Sequence, residues 1–522
     1  MYQTLLTRKY LTSKIMPLLA MIAVMLSVAT VLITWSVMGG FLRSLLDSGR
    51  VLVGDVAITW PATGFAHYDE LIEMLEGHEL LAAGAPVIES FAMVQLPDDR
   101  TEAVYVKGVE PESFNRVTGF VDHLWWKPLD TPTRRDKEGI DWRLREDNRE
   151  GLAEIFENGR TMTRQVPPVD GQPQPDEPAA LLGIELTDYN YRNSAGVYDP
   201  LSPAKARPDG SIDYQSIFMP RSGRVTLTVM PPAQGGRVIE PVTRSIAVAN
   251  EFQSGIYEAD NQTMLVPLSW LQDMLDMEAG GKVTGERNPW DLVLDPETGE
   301  FVPAPIVTTE TAPARVTTVL VRAHDGHTPQ DIKAACEDVY ERFYDRFRGQ
   351  VPAPESIQIQ TWEDLNATLV GAVKKETGLV LFVFGIVCFT TVFLVLAIFW
   401  AMINEKTRDI GILRALGAST AGVAGIWLSY GAALGLVGST LGVLAALLIV
   451  WNINPIHEWL GEVFGLVIWD PRVYYFVEIP SEVVPFDAAV VFGAGILTCV
   501  LGAAIPAFRS ARMDPVKALR FE

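Results

Sequence analysis

The chain has 522 residues, of which 48% are hydrophobic, and a formal net charge of −22. That length holds a membrane region plus one large or two small soluble domains, and so acidic a chain is a poor partner for nucleic acid. Of its three cysteines, Cys388 and Cys499 lie inside apolar runs. Cys336 alone remains elsewhere, which excludes a disulfide framework or a Cys/His metal site there.

Four stretches contain no Lys, Arg, Asp or Glu: residues 15–38, 378–403, 421–451 and 488–506. About 20 apolar residues in helix cross a hydrocarbon core, so each qualifies as a span. The first is longer than a signal-peptide core and leads into SVMGGFLRSLL without a small-residue cleavage site, so it reads as a retained helix. The fold class expected is a membrane protein with four transmembrane α-helices in a 1+3 arrangement. A large α+β extracytoplasmic domain is inserted between the first and second spans.

Charge placement sets the orientation. Arg8, Lys9 and Lys14 precede the first span; Lys406, Arg408 and Arg414 follow the second; Arg509, Arg512, Lys517 and Arg520 follow the fourth. All three segments are net positive, and Lys and Arg flanking spans favour the cytoplasmic side. The expected order is therefore a cytoplasmic N-terminus (1–14), first span (15–38), extracytoplasmic domain (39–376) and second span (377–403). A cytoplasmic coupling helix (404–419), third span (420–451), outer loop (452–487), fourth span (488–506) and cytoplasmic tail (507–522) follow.

After the first span, Gly39-Gly40 breaks the apolar run, Phe41–Leu46 reads as a short amphipathic continuation, and 51–60 reads as a strand. Residues 68–75 read as a helix closed by Gly77, with strands at 87–96 and 103–109. Two irregular inserts are expected, at about 123–178, including a Pro-rich flexible loop over 160–178, and at 189–222. Strands at 224–230, 244–249 and 263–266 and a helix at 268–275 come next. After another Pro/Thr/Glu-rich stretch (286–314), a strand at 317–322, a helix at 329–348 and a strand at 357–361 form the clearest unit. Thr328 is the predicted N-cap and Gly349 the stop.

No catalytic set stands out. His324 and His327 have a metal-site spacing but no evident third ligand, and read as surface residues. No GxxxxGK[ST] phosphate loop occurs, so the chain is expected to be no enzyme and to bind no cofactor itself. In the third span, Gly431, Gly435, Gly438 and Gly442 permit close helix approach, either as ordinary packing or as a sliding, dimerising face. Trp400, Trp427, Trp451, Trp459 and Trp469 fall near span ends, as interfacial anchors do.

The informative segment is NEKTRDIGILRALGA, residues 404–418. Ile410, Leu413 and Leu416/Gly417 recur on one apolar edge, preceded by Glu405, Arg408 and Asp409. Such an edge is expected to be buried against lipid headgroups or a partner.

EKTRDIGILRALGAS resembles the coupling segment of the ABC-transporter permeases that include lipoprotein-releasing (Lol-type), macrolide-exporter and FtsX-like proteins. The tail AAIPAFRSARMDPVKALRFE is similar to that family's ending. SVMGGF, TWED (361–364), WDPRVYYFVEIPSEV (469–483), VKGVEPESF (106–114) and FQSGIYEADNQTMLVPLSWLQ (252–272) resemble the lipoprotein-releasing branch.

The resemblance implies a permease subunit that couples ATP hydrolysis, with ATP and Mg on separate cytoplasmic ABC ATPase subunits, to extraction or export of a lipoprotein or other hydrophobic cargo from the outer leaflet of a bacterial inner membrane. Its implied partners are those ATPases, a second permease (identical or not), membrane lipids, a lipoprotein cargo and a periplasmic carrier. Glu405, Arg408, Asp409, Ile410, Leu413, Arg414, Leu416 and Gly417 would form the ATPase contact. By position, 230–244 would be the carrier-contacting hairpin, with Gln234, Arg237 and Arg244; a plain hairpin turn is the alternative. The other reading of the whole is an FtsX-like or macrolide-exporter-like mechanotransmission subunit acting on a different periplasmic partner.

Overall fold

The structure is a computed structural model describing residues 15–61, 63–131, 141–166, 174–193, 196–200, 204–206, 212–214, 218–231, 240–282, 292–294, 301–303, 310–465, 469 and 478–514. The chain divides into two compact units, Met1–Ser44 with Thr368–Glu522, and Leu45–Ala367.

The first unit is helical. It is built from α1 (Ile15–Arg50), α2 (Ala367–Glu405), α3 (Thr407–Ala415), α4 (Thr420–Trp451), α5 (Ile453–Phe464) and α6 (Pro485–Ala511). Four of these, α1, α2, α4 and α6, are long and apolar enough to cross a membrane. Their contacts follow from small residues. A Cβ at Gly431 would lie 2.9 Å from Ala503 Cβ, and one at Gly435 would lie 2.9 Å from Ile496 Cα, both on α6. One turn further, Gly438 and Gly442 face Val24 and Val28 of α1. The glycine stripe thus serves packing within the chain, its first half against α6 and its second half against α1.

Gly39-Gly40 breaks the apolar run but not the helix, which carries on through the amphipathic continuation expected over 41–46 and reaches Arg50. A mid-helix glycine costs only about 1 kcal/mol, and tertiary contact outweighs it. A Cβ at Gly40 would lie 2.8 Å from the Ser481 backbone, and the Glu482 N–H donates to Ser36 O at 3.0 Å. Arg43 pairs with Glu482 on the next turn.

The second unit is α/β. Its strands are β1 (Val56–Thr59), β2 (Leu81–Gln95), β3 (Thr101–Val109), β4 (Glu177–Gly183), β5 (Arg224–Val229), β6 (Val242–Phe252), β7 (Thr263–Pro267), β8 (Thr318–Ala323) and β9 (Gln358–Thr361). They lie in the order β5-β6-β4-β7-β3-β2-β8-β1-β9, and β5 also pairs with β2 through Thr226 opposite Gln95, so part of the sheet closes on itself. β6 runs parallel to β4 and β7 parallel to β3; the other pairs along this order are antiparallel. Helices Tyr68–Glu76 and Pro329–Arg346 contribute Leu71, Leu75, Val339 and Phe343 to one core, and Pro111–Thr118 contributes Phe114 and Val117 to another. The predicted cap at Thr328 is present as a capping box with Asp331.

Three expectations are corrected in this unit. The strand expected over 51–60 is confined to Val56–Thr59, because residues 51–53 form a turn and Gly54 has φ +70°. The insert at 123–178 also holds a 16-residue helix, Glu146–Thr161, and Thr163–Arg164 pairs with Glu177–Pro178, inside the span expected to be a loop. Its helix is highly charged, but Leu152 and Ile155 are buried beside Trp126 and Tyr198. The second insert, expected to be irregular, contains short strand pairs such as Asn190–Arg192 with Tyr198–Pro200.

Polar groups lock this region. The Trp126 indole donates to Glu251 at 2.6 Å, and the Asn250 amide donates to the Trp126 and Ile155 carbonyls. The Arg143 guanidinium sits 3.7 Å from the Trp125 ring centroid and pairs with buried Asp141 at 2.8 Å.

Candidate functional site

The segment joining α2 to α4 makes a short knob at one end of the helical unit. α2 stops at Glu405, where the Lys406 N–H still donates to Met402 O at 3.1 Å. The buried Thr407 hydroxyl donates to the Ile403 and Asn404 carbonyls at 3.2 and 3.0 Å. Those bonds satisfy carbonyls that the end of α2 would otherwise leave open, and α3 starts from the bend.

The inner face of α3 is set by helical spacing. Thr407, Ile410 and Gly411 are buried, and Ile410 joins a core with Met402, Ile403, Val423, Ala507 and Ala511. Arg414 completes that face, its guanidinium donating to Ala418 O at 2.9 Å. Gly417 then adopts φ +95°, which lets the Ala418 N–H reach back to Leu413 O at 3.1 Å and closes the helix. Ser419 caps α4 by accepting from the Gly422 N–H at 3.1 Å.

The apolar edge read from the sequence therefore divides. Ile410 faces the bundle, Leu413 is half-buried, and Leu416 is 81% exposed. Ile412, which the sequence reading passed over, is 44% exposed. Glu405, Arg408 and Asp409 are also exposed, with Asp409 paired to Lys406 at 3.0 Å. The knob is thus anchored by one side and presents a mixed apolar and charged surface on the other. Nearby, the Arg509 guanidinium of α6 lies 4.7 Å from the Trp400 ring centroid of α2.

Of the residues placed on the hairpin, Arg244 lies on β6 and pairs with Asp273. Gln234 and Arg237 lie outside the described residues. Among the described residues no cluster of three or more His, Cys, Asp or Glu could hold a metal ion. His324 and His327 are exposed on the turn after β8. A small apolar cavity of about 140 Å³ lies between α1, α2 and α6, lined by residues including Val28, Val31, Phe384, Cys388, Val491 and Thr498.

Residues 381–515, which include the whole knob, match the FtsX-like permease C-terminal family. The chain is 27% identical over 164 residues to the lipoprotein-releasing system transmembrane protein LolC of Xylella fastidiosa, covering 31% of this chain and 40% of the relative. It is 26% identical over 168 residues to LolC of Neisseria meningitidis, covering 32% of this chain and 40% of that protein. To LolE of Haemophilus influenzae it is 28% identical over 138 residues, covering 26% and 32%. The aligned region thus spans two-fifths or less of these relatives. Residues 381–515 thus carry an FtsX-like permease C-terminal domain, and the chain is similar to lipoprotein-releasing transmembrane proteins of the Lol type.

Proposed function

We propose that this chain is the transmembrane subunit of an ABC-type transporter of the bacterial inner membrane. In this reading its four long helices cross the bilayer in a 1+3 arrangement, with both termini and α3 in the cytoplasm and the α/β unit outside. A separate ATPase subunit grips α3, and a second permease, identical or not, completes the membrane pair. The work drawn from ATP extracts a lipoprotein or another hydrophobic cargo from the outer leaflet.

The observation that carries this reading is the two-sidedness of α3. Ile410 fixes it to the helical unit, while Ile412 and Leu416 stand in the open with Arg408 and Asp409. Large apolar side chains held out on an anchored helix suit a partner's groove. The test is release of a radiolabelled lipoprotein from proteoliposomes holding the full chain, its ATPase and any second permease. ATP-dependent release is expected; none, with the complex intact and hydrolysing ATP, overturns the cargo assignment.

A second reading has a specific support: the FtsX-like match lies within residues 381–515 and leaves the α/β unit unmatched. Under it, the same push regulates or drives a different periplasmic partner, and the release assay shows nothing while ATPase coupling persists.

A further inference from the structure

The stretch between α4 and α6 contains a helix whose sides are reversed relative to a helix in water. α5 runs from Ile453 to Phe464, with Asn452 alone between it and the end of α4 at Trp451. Its inner side is polar. Asn454 and His457 are each only 6% exposed. The Ile479 N–H donates to Asn454 Oδ1, and the Trp469 N–H donates to His457 Nε2, both at 2.9 Å. Its outer side is apolar: Ile456 is 37% exposed, Trp459 54%, Val463 56% and Phe464 61%. The spacing of Ile456, Trp459 and Val463 puts them on one stripe of the helix.

A helix in water turns its apolar stripe to the protein and its polar residues out; this one does the opposite. The arrangement is stable only where the outer side meets something other than water. Continuity says what that is. The stripe follows in the chain directly on the last turns of α4, where Leu444, Leu448 and Trp451 are 52%, 62% and 68% exposed on a helix long and apolar enough to span a bilayer. Its first turn is bonded through Asn454 to residues 478 and 479, only a few residues before α6 begins at Pro485. Both ends of the connection are therefore held beside the ends of two candidate spans. Trp469 in the same connection packs edge-on against Phe41 of α1, 6.4 Å between ring centroids.

We propose that α5 is an interfacial helix. It lies in the headgroup layer, with Ile456, Trp459 and Val463 inserted among the first carbons of the acyl chains, while Asn454 and His457 tie it to the protein. An amphipathic helix with Trp and aliphatic residues on its apolar face is the type that lies in that layer. So placed, α5 fixes the depth of the α4–α6 pair against the pull of a moving subunit. The proposal rests on the four long helices crossing a bilayer and on no assignment of cargo.

The test uses the full chain in vesicles of phosphatidylethanolamine and phosphatidylglycerol, with Cys336, Cys388 and Cys499 replaced by Ala. Single spin labels are placed at Ile456, Trp459 and Val463. A label at Leu448 serves as the lipid reference and one at Asp99, in an exposed turn of the α/β unit, as the water reference. The expected result is oxygen accessibility well above that of a water-soluble nickel chelate at all three positions, at a shallower depth than Leu448. Three labels open to nickel as at Asp99 overturn the proposal. So do labels immobilised and closed to both reagents, the sign that a second protein surface covers the stripe. If Leu448 itself lacks lipid contact, the bilayer reading fails instead. A second measurement keeps the native cysteines: the fluorescence difference between the native chain and Trp459→Phe. It is expected to be quenched more by lipids brominated near the glycerol than near the chain ends, and its absence with both lipids overturns the proposal.

Discussion

Gly442 of α4 and Val28 of α1 meet without room for a side chain: a Cβ on the glycine would lie 2.8 Å from Val28 Cβ and from Met25 O. Backbone in this position cannot yield as a flexible side-chain tip can. Gly442→Leu is therefore expected to force α1 away from α4 and cost about 1–3 kcal/mol or more, the usual penalty of overpacking. A lower thermal midpoint of the purified chain in detergent checks this. Gly493 of α6, where a Cβ meets nothing within 4 Å, is the control that should tolerate alanine.

Position on α3 separates folding from coupling. Ile410 is 3% exposed in the core, so Ile410→Asp buries an unpaired charge and is expected to destabilise the helical unit by about 3–5 kcal/mol. Leu416, at 81% exposure, loses no contact within the chain. Leu416→Asp is expected to leave the thermal midpoint unchanged while abolishing copurification of the ATPase and its stimulated hydrolysis. Leu413→Asp, at a half-buried position, should show part of both effects. Normal ATPase coupling in Leu416→Asp places the docking surface elsewhere on the chain.

Much of this was legible because each signal was local. The four uncharged runs needed only composition, and Thr328 with Pro329 marked its helix by capping chemistry alone. Two elements were missed for opposite reasons. In Glu146–Thr161 the buried Leu152 and Ile155 are outnumbered by charges and flanked by prolines, so its apolar edge is faint until Trp126 and Tyr198 pack against it. In α5 the stripe Ile456, Trp459, Val463 was present in the sequence, but it sat in a region assigned to a loop between spans. The division of the α3 edge was not readable at all. Which of Ile410 and Leu416 faces inward depends on the bend at Thr407, a tertiary feature.

Glu251 gives the α/β unit a pH dependence of definite sign. Burial pushes its carboxyl up to about 7, against the opposing pull of hydrogen bonds from Trp126, Asn190 and Thr187. In the unfolded chain it returns to about 4.3. The folded state thus binds the proton more tightly. The stabilisation is fully present below the unfolded value and lost as pH rises through about 7, on the order of 3 kcal/mol in all. Glu251→Gln keeps a neutral group there and removes the dependence. The difference in thermal midpoint between the native chain and Glu251→Gln is expected to change between pH 5 and pH 8, with the native chain losing ground. A constant difference means that the carboxyl ionises in the folded state as it does in the unfolded one.

The TWED segment is a capping box at the start of the short helix Trp362–Leu365, just ahead of α2. The Asp364 N–H donates to Thr361 Oγ1 at 3.1 Å, and the Thr361 N–H donates to Asp364 Oδ2 at 3.1 Å. Lys333 of helix Pro329–Arg346 adds an ion pair to the same carboxylate at 3.3 Å. The Thr361 backbone bonds hold the Asp364 carboxyl below its usual range, so it stays charged across the physiological pH range. Thr361→Val keeps the side-chain volume and removes the cap, at about 1 kcal/mol. Asp364→Ala removes the reciprocal bond and the Lys333 pair together. Both variants are expected to fold, with faster amide hydrogen exchange over residues 361–370 and unchanged exchange in the core strand β8. If this helix relays force from the α/β unit, Thr361→Val also lowers ATP-dependent cargo release more than it lowers ATPase activity. An equal fall in both assigns the box to stability alone.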